Sequence, residues 1–261
     1  MYTTCPKCRY VREPTDECSE DQCPKCGIIF SKWLHSQLRS LPAVDTAPDF
    51  AERFEGGLAG TYRWLRSRLF YIEPDVDGLT VYGRIAALVV AVLWGFTFIL
   101  SDFTALDGGF PVAGDPITHG VNLAFHEAGH ILFIPLGDFM SALGGSLSQL
   151  LMPVVVMCAF LFKYKNPFGA SIGLWWLGQS ALDLVPYIDD ARAQQLILLG
   201  GVTGRDVPGY HDWSYLLGRT GLLEFDHLIA GAVSFSGKTL MLLAMVWWAW
   251  LVWRQWHSIR R

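Results

Sequence analysis

Charge is scarce in this chain. Only 17% of its 261 residues are Asp, Glu, Lys or Arg, against about a quarter in soluble domains. That deficit excludes an ordinary solvated globular fold. The net charge is −4 and no basic stripe is present, so no nucleic acid partner is expected. No apolar segment follows Met1, Tyr2, Thr3, Thr4 and Cys5, so no secretory signal is expected. Without export, the six cysteines have no oxidising setting in which to pair as disulfides. In place of charge the chain has 52% hydrophobic and 14% aromatic residues, with 11 Trp.

The apolar residues are clustered. Uncharged runs cover 85–100, 146–162, 167–182 and 239–253, and a fifth apolar segment covers 121–136. Each is slightly shorter than the roughly 20 residues that cross a bilayer, a shortfall that polar flanks and tilt can make up. The expectation is a mainly α, polytopic helical membrane protein of five to six spans, embedded in a lipid bilayer. Lys32, Arg39, Arg53, Arg63, Arg66, Arg68 and Arg84 precede the first span, whereas 102–120 has no Lys or Arg. The positive-inside rule then places the N-terminus in the cytoplasm, in a bacterial inner (plasma) membrane. On this scheme the first span exits and the segment at 121–136 returns. Lys163 and Lys165 then fall outside, and so does the C-terminus, although Arg254, Arg260 and Arg261 argue for inside. A sixth span at 214–233 would correct the C-terminus, but it carries Arg219, Glu224, Asp226 and His227.

Inside the segment at 121–136 lies His126-Glu127-Ala128-Gly129-His130. On a helix, residues four apart share a face one turn from each other. Both imidazoles can therefore bind one metal, and the intervening glutamate can reach a water on it. HExxH in this form is a zinc site with its own base. Ionisable groups are costly in apolar surroundings unless paired or ligating, which makes a chance match a poor explanation.

A second metal signature is Cys5-Pro-Lys-Cys8 and Cys23-Pro-Lys-Cys26, two pairs separated by 14 residues. Four thiolates at this spacing suit a closed tetrahedral zinc site. A module of about 30 residues buries too little to fold without such a staple. Residues 1–35 are thus expected to form a zinc ribbon with one structural zinc and a partner-binding role. Residues 36–84 are expected to form a linker and a juxtamembrane amphipathic segment, with aromatic and basic residues mixed over 62–71. Residues 85–256 are expected to form the membrane-embedded domain. Cys18 and Cys158 are read as bystanders.

Catalytic zinc takes three protein ligands, so one must come from elsewhere. Asp183 ranks first, as a carboxylate ending an uncharged run. His211, in His211-Asp212-Trp213 on a Gly- and Pro-rich segment, ranks second, and Glu224 is a third option.

With these motifs together, the chain resembles the site-2 protease family of intramembrane zinc metalloproteases. The resemblance covers about 121–186. Phe125 to His130 matches the family's HExxH helix. The stretch from Gly144 to Leu151 looks like its glycine-rich helix, with Gln149 where asparagine is usual. Leu182-Asp183 looks like its third motif, with Leu184 in place of glycine. The resemblance implies an intramembrane metalloendopeptidase acting on membrane-anchored protein substrates. Glu127 would be the general base, His126, His130 and Asp183 the ligands of one catalytic zinc, and Gln149 a substrate-binding residue. Two alternatives stay open: an HExxH membrane protease using Glu224 or His211 as third ligand, and a non-enzymatic zinc-binding scaffold or sensor.

Overall fold

The computed structural model describes residues 3–16, 18–19, 21–33, 57–74, 76–101, 106–107, 110–111 and 116–259. The expected linker lies for the most part outside them. The chain divides into two compact units, Met1–Trp64 and Leu65–Arg261.

In the first unit the two Cys-Pro-Lys-Cys segments fold alike. The Cys5 N–H donates to Tyr10 O at 2.8 Å, and the Cys23 N–H to Ile28 O at 2.9 Å. The chain then turns back through a left-handed residue, Gly27 (φ 71°) in one knuckle and Arg9 (φ 58°) in the other. Phe30 is buried against Cys5 and Cys23.

The second unit is a helical bundle. Helix α1 (Gly57–Leu69) crosses the boundary between the units, and Leu69 O accepts a hydrogen bond from Trp247 Nε1. Next come α2 (Gly78–Leu100), α3 (Pro116–Phe133), α4 (Asp138–Cys158) and α5 (Pro167–Asp189), then the short α6 (Asp212–Thr220) and the long α7 (Asp226–Ile259). Two-residue strands β1 (Leu106–Asp107) and β2 (Phe110–Pro111) pair antiparallel. Local chemistry marks the helix ends. Asp77 caps α2 by accepting from the Thr80 N–H, and Asn166 caps α5 by accepting from the Gly169 N–H ahead of Pro167.

Among the described residues, three helices are long and apolar enough to cross a membrane: Gly78–Leu100, Asp138–Lys163 and Leu223–Ile259. Their outward residues stay bare, with Leu93 68%, Val246 68% and Phe235 74% exposed. Helix α5 is the enclosed one: Leu182, Val185 and Ile188 are buried, and its longest contact is with α7. Gly178 and Gly237 allow that approach, since a Cβ on either would sit under 3 Å from the other's carbonyl oxygen. The expected sixth span at 214–233 does not form. Gly221 (φ 71°) ends α6, and Asp226 starts a new helix.

Pairwise contacts fix the helix directions. Helices α2 and α7 are antiparallel, with Tyr82 edge-on to Trp256 at one end and Lys238 Nζ 3.5 Å from Ser101 O at the other. Helix α5 opposes α7, since Phe168 meets Trp248 and Arg192 meets Asp226. Helix α4 opposes α5, and α3 opposes α4. Helix α3 therefore runs in the same sense as α2. The expected return of the HExxH segment is corrected here, because α3 follows α2 without reversing direction.

Candidate functional site

The face of α3 that meets α4 carries the HExxH motif. Gly129 and Gly144 touch at the crossing, where a Cβ on Gly129 would fall 2.1 Å from Gly144 O. This proximity brings both imidazoles onto the α4 backbone. His130 Nδ1 lies 2.9 Å from Ser141 O, an atom that only accepts, so Nδ1 carries the hydrogen. His126 Nδ1 lies 3.1 Å from Gln149 Oε1. The Gln149 NH2 donates to Ser180 O and Asp183 Oδ2, so Oε1 is left to accept from His126. Both Nε2 lone pairs are thereby free and turned the same way.

They face Asp212. Its Oδ2 is 3.4 Å from His126 Nε2 and 3.2 Å from His130 Nε2. His126, His130 and Asp212 form one of two groups among the described residues that could hold a metal ion. Asp212 opens α6 and is held from three directions. Tyr187 OH donates to Oδ2 at 2.9 Å and accepts from the Asp212 N–H at 2.8 Å. Trp213 Nε1 donates to Ser146 Oγ, which ties the first turn of α6 to α4. Burial opposes charge on Asp212, while the hydrogen bond from the Tyr187 hydroxyl favours the carboxylate.

Asp183 is not at the imidazoles, contrary to the expected ligand set. Its Oδ1 takes His119 Nδ1 at 2.9 Å, and its Oδ2 accepts from Asn122 at 3.2 Å and Gln149 at 3.1 Å. Hydrogen bonds, not a metal, offset the cost of burying this carboxylate. Asp183 thus stands behind His126 through Gln149, as an outer partner that orients a ligand. The Gln149 amide, at the edge of the cavity, is buried and spends its hydrogen-bonding atoms on His126, Ser180 and Asp183. His211 is buried. Its Nδ1 accepts from the Ser214 N–H, its Nε2 lies 3.4 Å from Asp190 Oδ2, and its ring packs on Tyr187. Glu224 is 83% exposed and pairs with Arg192. Neither can serve as third ligand in this arrangement.

Glu127 lines the same cavity as both imidazoles, half-buried, and its carboxylate has no hydrogen bond or ion pair among the described residues. The cavity measures about 790 Å³. Its walls are largely apolar, with Leu123, Leu184 and 196–199 among them, and His119 with Asp183 lies on its edge. Among the described residues, no Lys or Arg lines it.

Gly145 backs the pair of rings. A Cβ there would sit 2.6 Å from His126 Nε2 and 2.7 Å from His130 Nε2. Gly145→Ala is therefore expected to abolish metal binding in the bundle while the cysteine cluster stays loaded, as read by metal analysis of the purified protein.

The second group is Cys5, Cys8, Cys23 and Cys26. Sγ of Cys5 lies 3.7 Å from that of Cys26, and Sγ of Cys8 lies 3.7 Å from that of Cys23. These distances are far beyond a disulfide bond. Burial opposes the Cys5 thiolate, but the N–H groups of Cys8 and Lys7 and the neighbouring thiols lower its pKa to about 6. The Tyr10 N–H favours the Cys8 thiolate, yet burial and three surrounding thiols hold it up at about 12. Arg9 occupies the left-handed position that Gly27 fills in the other knuckle. Arg9→Gly is expected to stabilise the module by about 0.5–1 kcal/mol, relieved backbone strain outweighing added chain entropy, as read by thermal unfolding with metal bound.

Sequence reasoning did not single out His119, Asn122 or Tyr187. His119 and Asn122 are legible in retrospect, at seven and four residues before His126 on the same face of α3. Comparisons with protein-family models, curated proteins and solved structures find no match to this chain, so its functional reading rests on this geometry.

Proposed function

We propose that the chain is a membrane-embedded zinc endopeptidase of the site-2 protease kind, cleaving membrane-anchored proteins, with a second, structural zinc in an N-terminal ribbon. The observation that carries this reading is the pair of locked imidazoles. Both Nδ1 atoms are committed, both Nε2 atoms converge on Asp212 Oδ2, and Glu127 stands beside them unbonded. A purely structural metal has no use for that free carboxylate.

The donor distances fit zinc. Arms of about 2.0–2.1 Å give a tetrahedron with edges of about 3.3–3.4 Å, close to the 3.2 and 3.4 Å from Asp212 to the rings. Zinc–thiolate arms of about 2.3 Å give edges of about 3.8 Å, close to the 3.7 Å between sulfurs. Three protein ligands in the bundle leave a fourth position open, whereas four thiolates leave none.

When bound, zinc supplies a Lewis acid for the scissile carbonyl and lowers the pKa of a coordinated water toward about 7. The chain's own residues do the rest. Glu127 would accept a proton from the attacking water and return it to the leaving amine. Tyr187 and Trp213 hold Asp212 in place, and Asp183 orients His126 through Gln149. The apolar wall formed by Leu123, Leu184 and 196–199 binds substrate side chains and excludes bulk water. Helices α3 and α5 are counted as membrane-embedded beside the three long apolar helices, with α3 running in the same sense as α2 and so adding no return crossing. Their polar side chains face one another and not lipid.

The test is cleavage of a membrane-anchored reporter by the full chain in proteoliposomes. Cleavage is expected to stop on chelation and to resume when zinc is restored. Cleavage that persists in excess chelator, or none under any metal loading, would contradict the reading.

A further inference from the structure

The helix directions gather most of the bundle's described Lys and Arg residues at one end, where Glu73 and Asp77 also lie. That end carries the start of α2, the end of α4, the start of α5 and the end of α7. Arg66 and Arg68 close α1 there, Arg84 lies in the second turn of α2, and Lys163 and Lys165 follow α4. Arg254 lies in the last turns of α7, and the sequence continues to Arg260 and Arg261. An aromatic girdle accompanies them: Phe70 on Trp250, Tyr82 on Trp256, and Trp253 beside His257. Such girdles sit at a membrane–water interface.

The opposite end carries the α3–α4 turn, the segment 190–211, α6 and the start of α7. Its acidic residues are Asp138, Asp189, Asp190, Asp206, Glu224 and Asp226. Its few cations are largely engaged. Arg192 pairs with Asp226 and Glu224, and Arg205 bonds Ala193 O. The metal-ligating group and the cavity lie toward this acidic end. His130 meets Ser141, one turn into α4, and 196–199 of the 190–211 segment forms a cavity wall. Of the residues that spoiled the charge pattern in the sequence, Lys163, Lys165 and Arg254 belong to the basic end once the bundle is folded.

We infer that the basic end faces the cytoplasm and that the cavity opens toward the opposite, non-cytoplasmic face of the membrane. The bias of Lys and Arg to the cytoplasmic side sets this sense. Resting on the endopeptidase reading, this names the substrate class: extended polypeptide segments that membrane-anchored proteins present at the non-cytoplasmic face.

The test labels the full chain in intact cells with a membrane-impermeant maleimide. Val207→Cys, on the 190–211 segment and 41% exposed, is expected to react in intact cells. Tyr164→Cys, after α4 and 60% exposed, is expected to react only after permeabilisation. The unsubstituted chain sets the background from native cysteines. The reverse pattern, or reaction of Val207→Cys only after permeabilisation, would overturn the inference. A fluorescent protein fused after Arg261 on the otherwise unchanged chain is expected to fluoresce, and a dark fusion would likewise overturn it. Neither readout depends on cleavage, so both can be taken in a Glu127→Gln background and stand or fall apart from the protease reading.

Discussion

Asp212→Ala is expected to empty the bundle site and leave the cysteine cluster loaded, lowering metal content from two equivalents to one, the two groups being independent. Proteolysis is expected to fall to background. The matched variant Asp183→Ala is expected to keep both equivalents. Asp183 touches His126 only through Gln149, and loss of such an outer partner costs about 10–100-fold in metal affinity or activity without removing the site. Asp183→Ala also strips an acceptor from His119, Asn122 and Gln149. Each buried donor left unsatisfied costs about 1–3 kcal/mol, so a lower unfolding temperature is expected with metal still bound. Asp212→Ala leaves Tyr187 OH without its acceptor but disturbs no comparable network. Metal content and thermal unfolding, measured on both variants, therefore separate a ligand from its support. Equal metal loss in the two would contradict the assignment.

Glu127→Gln is expected to give the opposite combination, with full metal and little activity. The substitution keeps the shape of the side chain and removes its capacity to accept a proton. General-base catalysis contributes about 10²–10⁴-fold, and a loss of that size is expected in the turnover of a membrane-anchored reporter. Substrate affinity should change little, because the side chain has no hydrogen bond or ion pair whose loss would rearrange the cavity. Cleavage at the wild-type rate would remove Glu127 from the mechanism.

The helices were legible because uncharged runs have few alternatives in a chain with so little charge. The HExxH pair and the paired Cys-Pro-Lys-Cys segments were legible because spacing alone brings those side chains together, across one helical turn or one knuckle. The third ligand was not. Asp183 and Asp212 are both isolated carboxylates in sequence, and the difference between them is made by partners from other helices. Asp183 ends an apolar run but meets His119, Asn122 and Gln149 there, so its burial needs no metal. Asp212 follows a Gly- and Pro-rich segment that reads as solvated loop. Only the folded chain brings Tyr187 and Ser146 to hold the start of α6 over the imidazoles. The direction of α3 was equally hidden, because alternation of spans assumes that each apolar helix crosses fully and reverses. Helix α3 has 18 residues and runs in the same sense as α2.

The central claim is a hydrolytic zinc held by His126, His130 and Asp212. Zinc-edge X-ray absorption on the chain with Cys5, Cys8, Cys23 and Cys26 all changed to serine tests it most directly. The expected result is one zinc with two imidazole nitrogens and one or two oxygens at about 2.0–2.2 Å and no sulfur. Absence of zinc from that folded variant, or a zinc lacking imidazole scattering, would contradict the account.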